Sequence, residues 1–223
     1  PRGLPLAGQT LDLEVGAVAH GGFCVARHEG QVVFVRHTLP GERVRAVVTE
    51  GGSEDRFLRA DAVEVLRASA DRVEPVCRHA GPGGCGGCDW QHASIEGQRR
   101  LKGEVVAEQL RRLAGLDLPV TVEPLPGDVG GLGWRTRVEF AVDAAGRAGL
   151  RRHRSHEVVP VVECPIAHPR VVASGVLEGD WSGNRAVDVV APSGGGSVVV
   201  VPVPGAGGEV PEGRERVDGA SWA

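Results

Sequence analysis

Hydrophobic and polar residues alternate over the first third of the chain, as they do in half-buried β-strands. The clearest case is Leu11 to Val15, because residues two apart lie on the same face of a strand. Four more such segments follow, with glycine or proline turns between them: residues 23–26, 31–35, 43–48 and 57–66. Five short strands in about 60 residues are typical of a small OB-like barrel, a fold that binds nucleic acids.

From about Ser94 to Leu113, apolar residues recur with the period of a helix instead of alternating. Apolar side chains form a stripe along one face, Ser94 is a suitable N-cap, and Gly115 is a suitable end. Gly103 lies inside this helix, where glycine costs about 1 kcal/mol relative to alanine. The sequence therefore predicts one substantial helix.

Strand patterns return after the helix, in residues 120–123, 135–142, 149–152, 157–162, 186–190 and 198–203. Residues 192–196 and 204–208 have the composition of exposed loops. We therefore predict a mainly β protein in four segments. They are an OB-like barrel (1–67), a cysteine-rich loop (68–93), a helix (94–117) and a β-rich central domain (118–223).

Composition narrows the class of protein. With 34 Gly, 15 Pro and 4% aromatic residues, the chain favours short strands and turns over long helices. It has no apolar run of membrane-spanning length and no signal sequence, so we expect no membrane partner. Five cysteines in that context predict a cytoplasmic protein with a metal site rather than disulfides. The chain begins at Pro1 and contains no Met, so we expect a piece of a longer protein. We also expect a monomer.

Four cysteines are the strongest candidates for chemistry: Cys77, Cys85, Cys88 and Cys164. Cys85 and Cys88 are separated by two glycines, a spacing that lets two thiolates approach one ion. The spacing alone favours a structural zinc site, with His79 or His92 as spare ligands, over an iron–sulfur cluster. The third possibility is that these cysteines bind no metal. Cys24 lies within a predicted strand and is interpreted as a core residue.

Arginines dominate the segment between Gly133 and Pro160, although the net charge of the chain is −4. Such a local patch can bind RNA phosphates, and the alternative is an ordinary solvated sheet face. The candidate RNA-binding residues are Arg135, Arg137, Arg151, Arg152, Arg154 and His156. Trp90, Trp134 and Phe23 could stack on unpaired bases, or could belong to the core.

The motifs together resemble one enzyme family. The run from Cys77 to His92 and the Cys164-Pro165 pair are similar to those of bacterial RNA uridine-C5 methyltransferases, in particular the 23S ribosomal RNA branch that carries a [4Fe–4S] cluster. The segment Trp134 to Phe140 resembles a strand of the same family, and residues 1–66 resemble its TRAM domain. The gap between Cys77 and Cys85 is longer than is usual there. Methylthiotransferases with TRAM domains carry a different cysteine spacing and are discounted.

The resemblance implies a [4Fe–4S] cluster on the four cysteines rather than zinc, and an RNA substrate, ribosomal or transfer. It also implies that the catalytic residues and the S-adenosylmethionine site lie in a further C-terminal domain, on which the helix at 94–117 would pack. The chain contains no glycine-rich nucleotide motif of that kind, so we expect it to be inactive alone. The alternative is a non-enzymatic RNA-binding protein with structural zinc.

Overall fold

The computed structural model describes residues 2–205, 216–217 and 220–222. The chain divides into two compact units. The first contains the described residues up to Val76, and the second contains those from Leu125 onward. The cysteine-rich segment is shared, because Cys77–His79 and Gly83–Gly87 belong to the second unit and Ala80–Pro82 to the first. Residues from Cys88 to Pro124 also belong to the first unit.

The first unit is a six-stranded sheet in the order β1-β5-β6-β4-β3-β2. Its strands are β1 (Thr10–Glu14), β2 (Val18–Ala19), β3 (Phe23–His28), β4 (Gln31–Arg36), β5 (Arg43–Glu50) and β6 (Phe57–Arg67). β4 and β6 pair in parallel, and the other pairs are antiparallel. The five predicted strands are confirmed, and β2 was missed. The described residues form no closed barrel, so the OB-like barrel stays a prediction.

The alternation along β1 to β6 explains the core of this unit. Leu11 and Leu13 are buried while Thr10, Asp12 and Glu14 are exposed. Every buried side chain of its hydrophobic core is aliphatic or a cysteine thiol. Cys24 is among them, as predicted for a core residue. The strands therefore place one apolar face inward and leave the other face to solvent or ligands.

The predicted helix is α1 (Ile95–Ala114). The Ser94 hydroxyl accepts a hydrogen bond from the backbone N–H of Gly97, and Gly115 ends the helix in the left-handed conformation, φ 66°. Leu101 of α1 joins the core of the first unit. Leu113 is 82% exposed, and the packing of α1 on a further domain stays a prediction.

Gly103 is explained by its surroundings. A Cβ atom there would lie 2.8 Å from the carbonyl oxygen of Val120, which is too close for any side chain. The prediction of a strand at Val120–Glu123 is wrong, since this segment has no strand assignment. It runs against α1 at Gly103 and has no neighbouring strand to pair with, so its alternating pattern reflects contact with a helix.

The second unit is a seven-stranded sheet in the order β12-β13-β11-β10-β7-β8-β9. Its elements are β7 (Arg137–Val142), β8 (Ala148–Arg151), β9 (Val158–Pro160), α2 (Pro169–Val172), β10 (Asn184–Val190), β11 (Val198–Pro204), β12 (Arg216–Val217) and β13 (Ala220–Trp222). β7 to β11 match the predicted strands. The loop at 192–196 is confirmed, and most of the loop predicted at 204–208 lies outside the described residues. Val138, Phe140 and Val187 are buried in this sheet.

The predominance of strands confirms the predicted fold class, mainly β with one substantial helix. The four predicted segment boundaries stay predictions. No helix in the described ranges is both long and apolar enough to cross a membrane.

Candidate metal and RNA-binding site

Three of the predicted metal ligands lie in the second unit. Cys77 and Cys164 are buried, and Cys85 is half-buried. Burial raises the pKa of the Cys85 thiol, and the negative charges of Cys164 and Cys77 raise it further. Burial likewise raises the pKa of Cys164, with Cys77 again contributing. These three cysteines are therefore the candidate metal ligands of the second unit.

Hydrogen-bond donors and a cation oppose these increases. The backbone N–H of Gly87 donates to Cys85 Sγ at 3.3 Å, which lowers the pKa of that thiol. Backbone N–H groups of Ala167 and Ile166 lower the pKa of Cys164 in the same way. The Arg135 guanidinium lowers the pKa of both thiols. N–H donors and a nearby cation stabilise thiolates, the form in which cysteine binds metals.

His79 adds a buried polar atom to this region. Its carbonyl oxygen accepts a hydrogen bond from the backbone N–H of Cys85 at 2.9 Å. Its Nε2 is buried and has no hydrogen-bond partner among the described residues. Buried nitrogens are rarely left without a partner, so this atom suits a neighbourhood that takes up a further group.

The donor chemistry of this region fits a thiolate-bound metal group. Within the described ranges, however, no set of three or more His, Cys, Asp or Glu side chains has the geometry of a bound metal ion. The four-cysteine site therefore stays a prediction.

Cys88, the fourth predicted ligand, belongs to the first unit. Gln91 Nε2 lies 3.2 Å from its sulfur. The residues that follow it are fixed within that unit, because Asp89 forms an ion pair of 2.8 Å with the buried Arg36. His92 is buried, and its Nε2 lies 3.2 Å from the carbonyl oxygen of Thr38. Burial lowers the pKa of His92.

A basic groove of about 460 Å³ lies in the second unit, beside Cys85. Five of the six predicted RNA-binding residues line it: Arg135, Arg151, Arg152, Arg154 and His156. No carboxylate lines it in the described part of the chain. The groove is therefore a concentrated positive surface within a chain of net negative charge, as required for binding phosphates.

The groove is shaped by the turn between β8 and β9. The backbone N–H of Arg152 donates to the carbonyl oxygen of Glu157 at 3.0 Å, and that of Ser155 donates to Arg152 at 3.2 Å. Arg154 has φ 52°, in the left-handed region. This turn leaves Arg151 and Arg154 exposed, while Arg152 forms an ion pair of 2.7 Å with Glu157.

The cysteine loop is joined directly to this turn. The backbone N–H of Gly86 donates to the carbonyl oxygen of Arg151 at 2.9 Å, and Cys85 forms an antiparallel bridge with Arg152. A Cβ atom at Gly86 would lie 2.5 Å from the backbone nitrogen of His153. Only glycine fits at this position, so the loop that carries Cys85 and the arginine turn form one local structure.

Arg137 does not line the groove. Its guanidinium pairs with Asp188 on β10, with Nη2 2.6 Å from Oδ2. Arg135 precedes β7 and is bridged to Ala167, so the predicted strand that carries both arginines begins only at Arg137. Trp134 is 62% exposed, which leaves it available for stacking, whereas Trp90 packs against the core of the first unit.

Sequence reasoning placed His153 in the basic segment but not among the binding residues, and it missed Gly86 and Ser155, which also line the groove. None of them belongs to a residue type that marks a site by itself. The available signal for His153 and Ser155 was their position in a short turn between two predicted strands, next to three arginines, and Gly86 lies in the cysteine loop instead.

Comparison with known proteins identifies the first unit in part. Residues 6–63 match the TRAM domain family, which confirms the resemblance of residues 1–66 to a TRAM domain.

Curated relatives cover most of the chain. An uncharacterized RNA methyltransferase of Streptomyces avermitilis is 58% identical over 214 residues, which are 92% of this chain and 49% of the relative. The 23S rRNA (uracil(1939)-C(5))-methyltransferase RlmD of Halomonas elongata is 44% identical over 161 residues, which are 71% of this chain and 32% of that protein. The chain therefore spans about half the length, or less, of the curated relatives it matches.

A solved structure shares the fold. The Pyrococcus abyssi tRNA (uracil-54, C5)-methyltransferase, crystallised with S-adenosyl-L-homocysteine, matches with a TM-score of 0.54 at 19% identity. The match covers 89% of this chain and 48% of the other. Its sequence identity is low, so the likeness concerns the fold alone.

Proposed function

We propose that this chain is the RNA-binding, cluster-bearing part of an S-adenosylmethionine-dependent RNA uracil-C5 methyltransferase. The basic groove beside Cys85 is the observation that carries the proposal. It places four arginines and two histidines around one concave surface, and relatives at 58% and 44% identity are named RNA methyltransferases.

The groove would bind the phosphate backbone of ribosomal or transfer RNA. Arg151 and Arg154 are exposed and would pair with phosphate oxygens, for which the planar guanidinium is well suited. Arg137 belongs to the proposed binding set, but its ion pair with Asp188 would reduce its contribution. The exposed Trp134 would stack on an unpaired base.

Cys77, Cys85, Cys88 and Cys164 would hold a [4Fe–4S] cluster. Three of them share the second unit, where N–H groups and Arg135 offset part of the rise in thiol pKa that burial causes. The cluster would supply a structural crosslink, since metal–thiolate bonds stabilise a fold when few apolar contacts do. Zinc on the same thiolates is the alternative.

Methyl transfer would take place outside this chain. Adding a methyl group to C5 of uracil requires a nucleophile for C6 and a base for the C5 proton. We place these groups, and the S-adenosylmethionine site, in the part of the relatives that this chain does not cover. The chain alone would be inactive, cytoplasmic and monomeric.

The test of the groove is a titration of the chain with fluorescent single-stranded RNA at several salt concentrations. Changing Arg151 and Arg154 together to alanine should weaken binding and lower the slope of log affinity against log salt by about two. The matched control is Arg185→Ala, an exposed arginine of the same unit outside the groove. Equal binding by all three proteins would rule out the groove.

The metal is tested by preparing the chain without oxygen. The cluster predicts equal amounts of iron and acid-labile sulfide and a brown protein, both lost in Cys85→Ser. A colourless protein with one zinc per chain would overturn the cluster and favour the alternative.

A further inference from the structure

Three phenylalanines lie side by side on the sheet of the first unit. Phe23 is on β3, Phe34 on β4 and Phe57 on β6, three neighbouring strands. The ring centroids of Phe23 and Phe34 are 6.2 Å apart at 71°, and those of Phe34 and Phe57 are 5.4 Å apart at 76°. These are edge-to-face contacts of the kind that aromatic pairs prefer.

The rings lie on the face opposite the core. Cys24, Val33 and Leu58, their neighbours in sequence, have no exposed surface, and adjacent residues of a strand point to opposite faces. Phe57 itself is 40% exposed. Register places Phe34 beside Arg59 on the parallel strand β6, so the cluster continues across the strand pair.

Arg59 completes the cluster. Its Cζ lies 5.8 Å from the ring centroid of Phe23 and 5.1 Å from that of Phe57, both within the range of cation–π attraction. Its Nη1 is 3.5 Å from Glu50, a long contact that leaves the guanidinium mainly against the rings. A positive charge is thereby held at the edge of an aromatic surface.

The hydrophobic core of this unit is formed without these rings, since its buried apolar side chains are aliphatic residues and a cysteine thiol. The chain has only four phenylalanines, and three are gathered on this outer face. Solvated sheet faces usually carry polar side chains, and an aromatic cluster bordered by arginine is instead the composition of surfaces that bind single-stranded nucleic acids.

We propose that Phe23, Phe34, Phe57 and Arg59 form a platform on which unpaired RNA bases stack. The inference rests on the proposed RNA-binding function and adds a second contact, directed at bases rather than phosphates. Stacking does not distinguish strongly between bases, because every base has a π-face. The platform would therefore hold a single-stranded segment of the substrate without selecting its sequence.

The experiment measures binding of the chain to labelled single-stranded oligouridine and to an abasic oligonucleotide of equal length. The wild-type chain should bind the oligouridine more tightly. Phe57→Leu keeps an apolar side chain of similar size but removes the ring, and should weaken oligouridine binding about 5- to 150-fold, the range for one stacked base. Phe57→Trp should retain the affinity, which separates stacking from an effect on folding.

The matched control is Val63→Ala, an exposed apolar residue of the same strand outside the cluster. It should bind both oligonucleotides as the wild type does. In Phe57→Leu, affinity for the abasic oligonucleotide should be unchanged, because the groove arginines remain.

The results separate the two proposals. If the wild-type chain binds neither oligonucleotide, the proposed RNA-binding function fails and the platform fails with it. If it binds both equally, or if Phe57→Leu binds as the wild type does while the groove variant is weakened, only the platform is overturned. In that case the aromatic face serves another partner, such as a protein surface.

Discussion

Replacing Glu42 with glutamine should strongly destabilise the first unit. Glu42 is completely buried and receives four hydrogen bonds. Its Oε2 accepts from the backbone N–H of Leu39 at 2.8 Å and from Arg72 at 2.7 Å. Its Oε1 accepts from Ser69 at 3.1 Å and from Arg72 at 2.5 Å. Glutamine has nearly the same shape but offers only one oxygen, so two donors lose their acceptor.

The magnitude follows from those two donors and the lost charge. Each unsatisfied buried donor costs about 1–3 kcal/mol, and breaking a buried ion pair costs about 3–5 kcal/mol. The Arg72 side chain is 20% exposed, so water can reach part of it. We therefore take the lower end and expect a loss of about 3 kcal/mol, a large part of the stability of a small domain.

Acid should remove the same interactions. Burial by itself would raise the pKa of Glu42, but hydrogen bonds from Arg72, Ser69 and Leu39 outweigh it and hold the pKa below its ordinary value of 4.5. A lowered carboxyl pKa stabilises the fold above the unfolded pKa, and this contribution is lost as the pH falls through the folded value. The difference between wild type and Glu42→Gln should therefore shrink below about pH 4.5.

The assay is urea denaturation followed by circular dichroism, with hydrogen exchange of β5 and β7 to assign each transition to a unit. A loss of about 3 kcal/mol corresponds to a midpoint shift of about 1–3 M urea, confined to β5. The control is Glu64→Gln, which removes an exposed ion pair with Arg45 and should leave the midpoint unchanged. A loss below about 1 kcal/mol for Glu42→Gln would refute the reasoning.

Three further predictions concern a buried histidine and two glycines. Burial lowers the pKa of His92 below its ordinary value of 6.5, so the unfolded chain binds a proton more readily than the folded chain does. Stability of the first unit should therefore fall as the pH drops below about 6.5, measured by urea midpoints at successive pH values. Gly103→Ala should destabilise the chain by about 1–3 kcal/mol despite its better helix propensity, because its Cβ would meet Val120, as measured by thermal unfolding. Gly86→Ala should lower RNA affinity and metal content together, because its Cβ would meet the backbone of His153, as measured by RNA titration and metal analysis.

Each of these three predictions has an outcome that would contradict it. A urea midpoint that is constant between pH 7 and 5 would contradict the first. For the second, Lys102→Ala, at an exposed position of α1, should be nearly neutral, and equal stability of both variants would contradict it. For the third, Gly194→Ala has open space around its Cβ and should change neither quantity. A change in only one quantity in Gly86→Ala would show that the loop and the turn act separately.

The sequence predicted which segments form strands and the helix better than it predicted which segments pair or pack together. Strand alternation and the Ser94 and Gly115 caps are local signals, and both were confirmed. Val120–Glu123 alternates as a strand does, but pairing depends on a neighbouring strand that a single segment cannot reveal. The long, irregular pairing of β5 with β6 was likewise beyond local reasoning.

The candidate site shows the same difference between local features and long-range contacts. The basic segment between Gly133 and Pro160 predicted five residues that now line one groove. Four of them are sequence neighbours that the turn between β8 and β9 keeps together, and Arg135 comes from a separate segment before β7. The sequence did not reveal the ion pair that keeps Arg137 out of the groove, because its partner Asp188 is 51 residues away in sequence. Of the aromatic cluster, the sequence indicated only Phe23, because the three rings come from three strands and only the sheet order brings them together.

The participation of α1 in the first core has a consequence for autonomous folding. The TRAM match ends at residue 63, yet Ala93 and Leu101 are buried in that core, and Trp90 and Val105 pack against it. A fragment that stopped near residue 67 would expose this apolar surface to water and would be prone to aggregate. We therefore expect that a fragment that folds by itself must extend through α1, to about twice the length of the TRAM match, because this helix contributes to its core.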